Sequence, residues 1–103
     1  MKIAFKACLI MASLLAFAAQ ADEPQMPQGK EVYQQACARC HDRGLMGAPR
    51  IQDKEAMQAL NAKGKEALYR ATIKGVGRMP PKGRANISDD EAKAATDYMV
   101  SAP

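Results

Sequence analysis

Residues 35–44 read "QACARCHDRG". Two cysteines three positions apart, Cys37 and Cys40, are followed at once by the chain's one histidine, His41. On a helix, positions i and i+3 share a face, so thiols spaced this way can meet one edge of a flat ligand. The run C-x-x-C-H is the attachment pattern of a c-type haem: the two thiols add across its vinyl groups and the adjacent imidazole reaches the iron. Two other chemistries use similar residues. Structural zinc takes four Cys or His ligands, and after residue 21 the chain offers three. A thioredoxin-like dithiol accompanies a βαβ unit, and no alternating strand pattern is visible here. Haem is the leading reading, and a redox dithiol is the reading that competes with it.

The first 21 residues are not expected to belong to the fold. "MKIAFKACLIMASLLAFAAQA" opens with Lys2 and Lys6, runs apolar from Ala7 to Ala19 and closes on Ala19-Gln20-Ala21. That is the form of a secretory signal peptide cut before Asp22. The apolar run is short for a bilayer span, and Cys8 leaves with the discarded peptide. The expected organisation is therefore a cleaved signal peptide at 1–21, an extended leader at 22–28 ("DEPQMPQ") and one domain at 29–103. The mature chain is expected in a bacterial periplasm, without an integral membrane segment.

Removing the first 21 residues takes away both phenylalanines, Phe5 and Phe17, and the chain has no tryptophan. Tyr33, Tyr69 and Tyr98 remain, with nine Leu, Ile and Val among 82 residues. That is about 11%, against the roughly 20% below which chains tend toward disorder. A chain this small struggles to bury enough surface even with ordinary composition. A disulfide between Cys37 and Cys40 would close too short a loop to compensate. Burying several hundred Å² of porphyrin, at roughly 25 cal/mol per Å², contributes on the order of 10 kcal/mol, the scale of a whole domain's net stability. Without Lys2 and Lys6, thirteen bases face eleven acids. That balance is too even for a nucleic-acid partner, which calls for clustered positive charge.

The spacing predicts an all-α chain of about four short helices joined by long loops. The first helix covers about Gly29 to Arg39, with Val32, Tyr33 and Ala36 on one face. A loop rich in glycine follows through Ile51. Asp53 caps a second helix carrying Met57 and Leu60, which frays at Asn61 to Gly64. A third covers Lys65 to Lys74, with Leu68, Thr72 and Ile73 on one side and Gly75 as its stop. "GVGRMPPKGRAN" reads as an ordered loop. Ser88-Asp89-Asp90-Glu91 is a capping box opening a fourth helix to about Val100, striped with Ala92, Ala95 and Tyr98 or Met99.

With one histidine, the sixth position on a haem iron must go to methionine, lysine or water. Met26 lies in the leader and Met46 sits close behind His41. Met57 and Met99 fall on apolar helix faces, where filling the core is the simpler role. Met79 sits in "GVGRMPPKG", where no helical stripe explains it, and Pro80 and Pro81 stiffen the chain beyond it. Met79 is the expected ligand, and a His/Met pair raises the haem potential and closes both axial sites. Metal-bound imidazoles usually donate their other N–H to a carbonyl or carboxylate. The Gly47-Ala48-Pro49 turn can offer one, or Pro49 can simply shape the loop. For the haem's own carboxylates, Arg50 and Lys82 are the candidate partners.

The stretches "GKEVYQQACARCH", "GLMGAPRI", "RMPPKG" and "ISDDEAKAATDYMV" together resemble a class I c-type cytochrome, most of all the bacterial cytochrome c5 family. The resemblance implies one haem c attached covalently at Cys37 and Cys40, with His41 and Met79 as axial ligands of the iron. It implies the Pro49 carbonyl as the group that orients His41. It also implies that the first and last helices cross, with Gly29 permitting close approach and Tyr33 near Tyr98. Many cytochromes c5 carry a second cysteine pair just after the MPPKG loop, and here Arg84 to Ile87 hold none. Family members also often place a tryptophan near Met57, and this chain lacks it.

The expected function is a periplasmic monohaem carrier of single electrons between redox proteins of a respiratory chain, such as a membrane reductase or a terminal oxidase. It is not expected to be an enzyme, and a monomer is the favoured state. A peroxidase would need an open sixth site and a distal base, and a gas sensor would need an output region. Charge placement adds a docking hypothesis. In segments 39–50 and 74–84 the bases are Arg39, Arg43, Arg50, Lys74, Arg78, Lys82 and Arg84, with Asp42 as the only acid. The acids Asp89, Asp90, Glu91 and Asp97 gather on the last helix. A basic rim of this kind steers acidic partners, whereas a merely solvated face does not.

Overall fold

Gly29 opens helix α1, residues 29–41, which holds one irregularity: an α turn Gly29–Val32, a wider π turn Tyr33–Cys37 and a second α turn Ala38–His41. The computed structural model describes residues 28–101, so the expected signal peptide and residues 22–27 of the expected leader lie outside it. In a uniform α-helix the stripe i, i+4, i+8 drifts by about 40° per step. A π turn bonds to the fifth residue instead of the fourth, and takes back part of that drift between Tyr33 and His41. Both consequently face inward, Tyr33 at 4% and His41 at 8% exposure. The helix runs two residues past the expected Arg39, because the Asp42 N–H still reaches the Ala38 carbonyl at 2.9 Å.

Helix α2, Lys54–Asn61, starts where Asp53 accepts a bond from the Ala56 N–H at 3.1 Å, and it buries Met57. Helix α3, Lys65–Lys74, buries Leu68 and ends at Gly75, whose N–H meets the Ala71 carbonyl at 2.9 Å. Helix α4, Asp89–Ser101, begins with both halves of the expected capping box. The Ser88 N–H donates to the Glu91 carboxylate at 3.0 Å and the Glu91 N–H to the Ser88 hydroxyl at 3.1 Å. Ser88→Ala leaves a first-turn N–H without its partner and is expected to cost about 1 kcal/mol. In a domain of this size that lowers Tm by roughly 4–8 °C in a thermal melt. Among the described residues the only extended pairing is an isolated antiparallel bridge between Val76 and Met79. The expected all-α architecture holds, with its four helices.

The core sits where α1 and α4 cross. Val32, Tyr33 and the fully buried Ala95 form its centre, with Cys37, Ala38, Ile51, Ile87, Tyr98 and Met99 packed around them. The Tyr33 and Tyr98 rings lie 5.5 Å apart at a 52° tilt, within the centroid range of interacting aromatic pairs. Helix α3 is pinned to α4 by polar contacts. The buried Thr96 hydroxyl meets the Thr72 hydroxyl at 2.9 Å and the Ala92 carbonyl at 2.8 Å. Asp97 accepts from Lys65 and from the Tyr69 hydroxyl, each at 2.7 Å.

Burial on its own would raise the Asp97 carboxyl, but the bonds from Lys65 and Tyr69 outweigh it and leave Asp97 below its ordinary value. Lys82 lowers Asp89 likewise. A carboxyl depressed in the folded state contributes stability above its unfolded pKa and loses it as pH falls through the folded value. The denaturation midpoint should therefore hold from neutral pH down to the ordinary carboxylate range and drop below it. Asp97→Asn should shrink that drop, and an unchanged acid limb in guanidinium titrations would count against the Lys65–Asp97–Tyr69 cluster.

Candidate functional site

Helix α1 presents Cys37, Cys40 and His41 in its last two turns, and the loop after it folds back onto His41. The imidazole is buried, and its Nδ1 lies 2.8 Å from the Pro49 carbonyl oxygen. A carbonyl can only accept, so Nδ1 carries a proton, and in the neutral ring Nε2 is the nitrogen with the lone pair. Nε2 makes no hydrogen bond among the described residues. The same loop grips the backbone of His41, whose carbonyl accepts from the Ile51 N–H at 2.8 Å. Left-handed residues Gly44 (φ 71°), Met46 (φ 53°) and Gly47 (φ 83°) bend the segment 42–51 into this return. Of the two roles open to Pro49 from sequence, loop-shaping or a carbonyl partner, the geometry places the carbonyl on the ring.

Cys37 and Cys40 are half-buried and unpaired. Burial, with Cys40 beside it, pushes the Cys37 thiol up to about 11. Dithiol oxidoreductases work through thiols with lowered pKa, so this microenvironment opposes the competing reading. Sequence reasoning placed Tyr33 near Tyr98 but missed its polar partner: the phenol donates to the carboxylate of Asp42, the residue after His41. Burial first, then the Asp42 bond and charge, hold that phenol well above its ordinary range. The partners are nine positions apart, a separation that no helical spacing rule pairs.

Met79 stands on a two-residue reversal. The Val76 N–H donates to the Met79 carbonyl at 3.0 Å and the Met79 N–H to the Val76 carbonyl at 2.9 Å, through Gly77 and Arg78. Gly75 makes this possible: at its φ of 83° an added Cβ would stand 2.7 Å from the Met79 carbonyl oxygen. Beyond Met79 the chain runs through Pro80 into a tight turn, Pro81–Arg84. A Cβ on Gly83 would lie 3.1 Å from the Ala36 carbonyl, so this loop abuts α1 one residue before Cys37. Among the other described methionines, Met57 is 3% exposed and Met99 packs on the core, as their helical positions suggested, while Met46 is 58% exposed. Met26 lies outside the described residues. Lys82, a candidate partner for haem carboxylates, engages the Ile87 carbonyl at 2.9 Å and Asp89 at 2.8 Å.

The donor set suits a haem: two thiols, an imidazole held with its Nε2 lone pair free, and a thioether on a separate loop. The burial pattern suits one too. The described residues bury only six apolar residues, Val32, Tyr33, Met57, Leu68, Ala92 and Ala95, so a flat apolar group supplies interior that these side chains do not.

Comparison with known proteins follows the same line. Residues 24–99 match the family model described as cytochrome C oxidase, cbb3-type, subunit III. Over 74 residues the chain is 40% identical to cytochrome c5 of Azotobacter vinelandii, covering 69% of this chain and 89% of that one. The chain belongs to the cytochrome c family. This cytochrome is also 42% identical over 77 residues to cytochrome c-555 of Chlorobaculum tepidum (strain ATCC 49652 / DSM 12025 / NBRC 103806 / TLS), covering 70% of this chain and 71% of that one. Its fold matches a chain of a solved electron transfer complex of nitrite reductase with cytochrome c. The TM-score is 0.68 at 38% identity, over 72% of this chain and 91% of that one. The resemblance read from the sequence holds, and with a single C-x-x-C-H the cytochrome carries one covalently bound haem c and its iron in electron transfer.

Proposed function

We propose that this cytochrome is a periplasmic, non-enzymatic carrier of single electrons between proteins of a bacterial respiratory chain. Cys37 and Cys40 are its thioether attachment points, His41 and Met79 its axial iron ligands, and Pro49 the residue whose carbonyl orients His41. The observation that carries this reading is the 2.8 Å contact from His41 Nδ1 to the Pro49 carbonyl, which supports Nε2 as the nitrogen available to a metal. When bound, the haem supplies a one-electron ferric/ferrous couple. The protein's part is to hold the imidazole rigidly, to offer the Met79 thioether from a loop stiffened by Pro80 and Pro81, and to exclude water. A lone histidine leaves no distal base for peroxide chemistry, which supports a carrier over an enzyme. The reading includes export, with cleavage before Asp22, a leader at 22–28 and the cytochrome domain at 29–103. Among the described residues no helix is long and apolar enough to cross a membrane.

Protein donors and acceptors, such as a membrane reductase or a terminal oxidase, are the proposed partners. The solved complex that the fold matches pairs a cytochrome c with nitrite reductase. Arg39, Arg43, Arg50, Lys74, Arg78 and Arg84 are all exposed, and Leu45, Met46 and Val76 expose 45%, 58% and 60% of their surface. Exposed bases with apolar residues in the same segments suit a transient docking face for acidic partners. Electron-transfer rates with an acidic partner should fall as ionic strength rises, and flat rates would remove the basic rim from the proposal.

The deciding experiment is a pair of ferric and ferrous spectra with a thiol titration of the purified protein. A low-spin haem spectrum with no titratable thiol at Cys37 or Cys40 is expected. Two free thiols without a haem band would end the reading, and ready binding of exogenous ligands at neutral pH would reopen the enzymatic one.

A further inference from the structure

The segment after Met79 carries a backbone conformation that its residues do not favour. Lys82 (φ 53°), Gly83 (φ 60°) and Arg84 (φ 65°) are left-handed in succession. Only the glycine adopts that region freely; for lysine and arginine it persists where the surroundings hold it. What holds it is visible at Lys82. Its ammonium donates to the Ile87 carbonyl at 2.9 Å and pairs with Asp89, the first residue of α4, at 2.8 Å. Its side chain is 24% exposed against 64% for Asp89. Within the turn, the Gly83 N–H bonds to the Pro80 carbonyl and the Ala85 N–H to the Lys82 carbonyl, both at 3.0 Å. Gly83 in turn abuts the Ala36 carbonyl on α1. Residues 82–89 thus form a loop closed by one side chain just beyond Met79, with no cysteine in it to close it covalently.

We propose that Lys82 is a positioning residue: by bridging the Ile87 carbonyl and Asp89 it latches the Met79 loop to the start of α4, and so keeps the thioether presented to the iron. The inference rests on Met79 being the axial ligand. It acts through population. An exogenous ligand reaches the sixth position only from the open loop, so its apparent affinity scales with the fraction of open molecules. A latch that closes the loop lowers that fraction without touching the iron.

The test uses the ferric holoprotein with imidazole as the probe, followed by absorbance, alongside amide exchange at Gly83 and Ala85. Lys82→Met keeps the stem and removes the ammonium. It should tighten apparent imidazole binding on the order of tenfold, as expected for losing a charge-assisted hydrogen bond, and speed exchange at both amides. Lys82→Arg should restore most of the closure. Asp89→Asn, which leaves the bond to the Ile87 carbonyl, should give a smaller increase, and high salt should bring the wild type toward it. Asp53→Ala removes the cap of α2, far along the chain, and controls for general loss of stability. It should lower Tm while leaving imidazole affinity within about twofold. Equal imidazole affinity in wild type, Lys82→Met and Asp89→Asn would overturn the latch. If Met79→Ala binds imidazole no more tightly than wild type, the ligand assignment falls, and the latch with it.

Discussion

Met79→Ala should lower the reduction potential by on the order of 0.1–0.2 V, a fraction of the roughly 0.8 V that axial ligands span. A thioether stabilises the ferrous state relative to water or a nitrogen donor, so its loss shifts the couple downward. The helices should remain, because Met79 lies on the reversal after Gly75 and not in the α1–α4 core. The same variant should bind added imidazole readily. Met57→Leu is the matched control: Met57 is 3% exposed inside the fold, so a volume-conserving change should leave the potential in place and move stability by less than about 1.5 kcal/mol. A potential and spectrum unchanged by Met79→Ala would assign the sixth position to another group.

Gly29→Val should strongly destabilise the fold. A Cβ at Gly29 would overlap the Ala94 carbonyl oxygen and stand 3.0 Å from the Tyr98 Cβ. The obstacle is helix backbone, which cannot rotate aside as a side-chain tip can, so α1 and α4 must separate. That loosens Val32, Tyr33 and Ala95 together. The expected cost is about 3 kcal/mol, the upper end for overpacking, in a domain whose whole margin is on the order of 5–15 kcal/mol. Guanidinium denaturation of the holoprotein measures it. Lys30→Val, one position along on the exposed side, should cost no more than about 0.5–1 kcal/mol. Similar midpoints for the two variants would mean that the crossing tolerates a side chain at position 29.

The readable parts of this fold are the ones that depend on near neighbours. Asp53, Gly75 and the Ser88–Glu91 box each act within four residues, and each stands where the spacing put it. The motif Cys37-Ala38-Arg39-Cys40-His41 is local in the same sense. The π turn at Tyr33–Cys37 was not readable, because its energy is repaid by packing against α4 and the Met79 loop, not by its own residues. Lys82 was readable as a charge near the haem but not as a latch. Its partners, Ile87 and Asp89, become neighbours only through three consecutive left-handed residues.

Residue order alone points to the chemistry: one C-x-x-C-H, one histidine, a methionine set in a glycine- and proline-rich loop, and too few apolar side chains to fill a core unaided. Those are matters of composition and short spacing, which survive in the unfolded chain. Folding settles orientation. Which nitrogen of His41 keeps the proton depends on the Pro49 carbonyl arriving from eight residues away. Whether the Met79 loop stays closed depends on a lysine reaching the start of another helix. Hydrogen bonds act over about 3 Å and along set directions, so no sequence pattern can supply contacts that exist only once α1, the loops and α4 have packed.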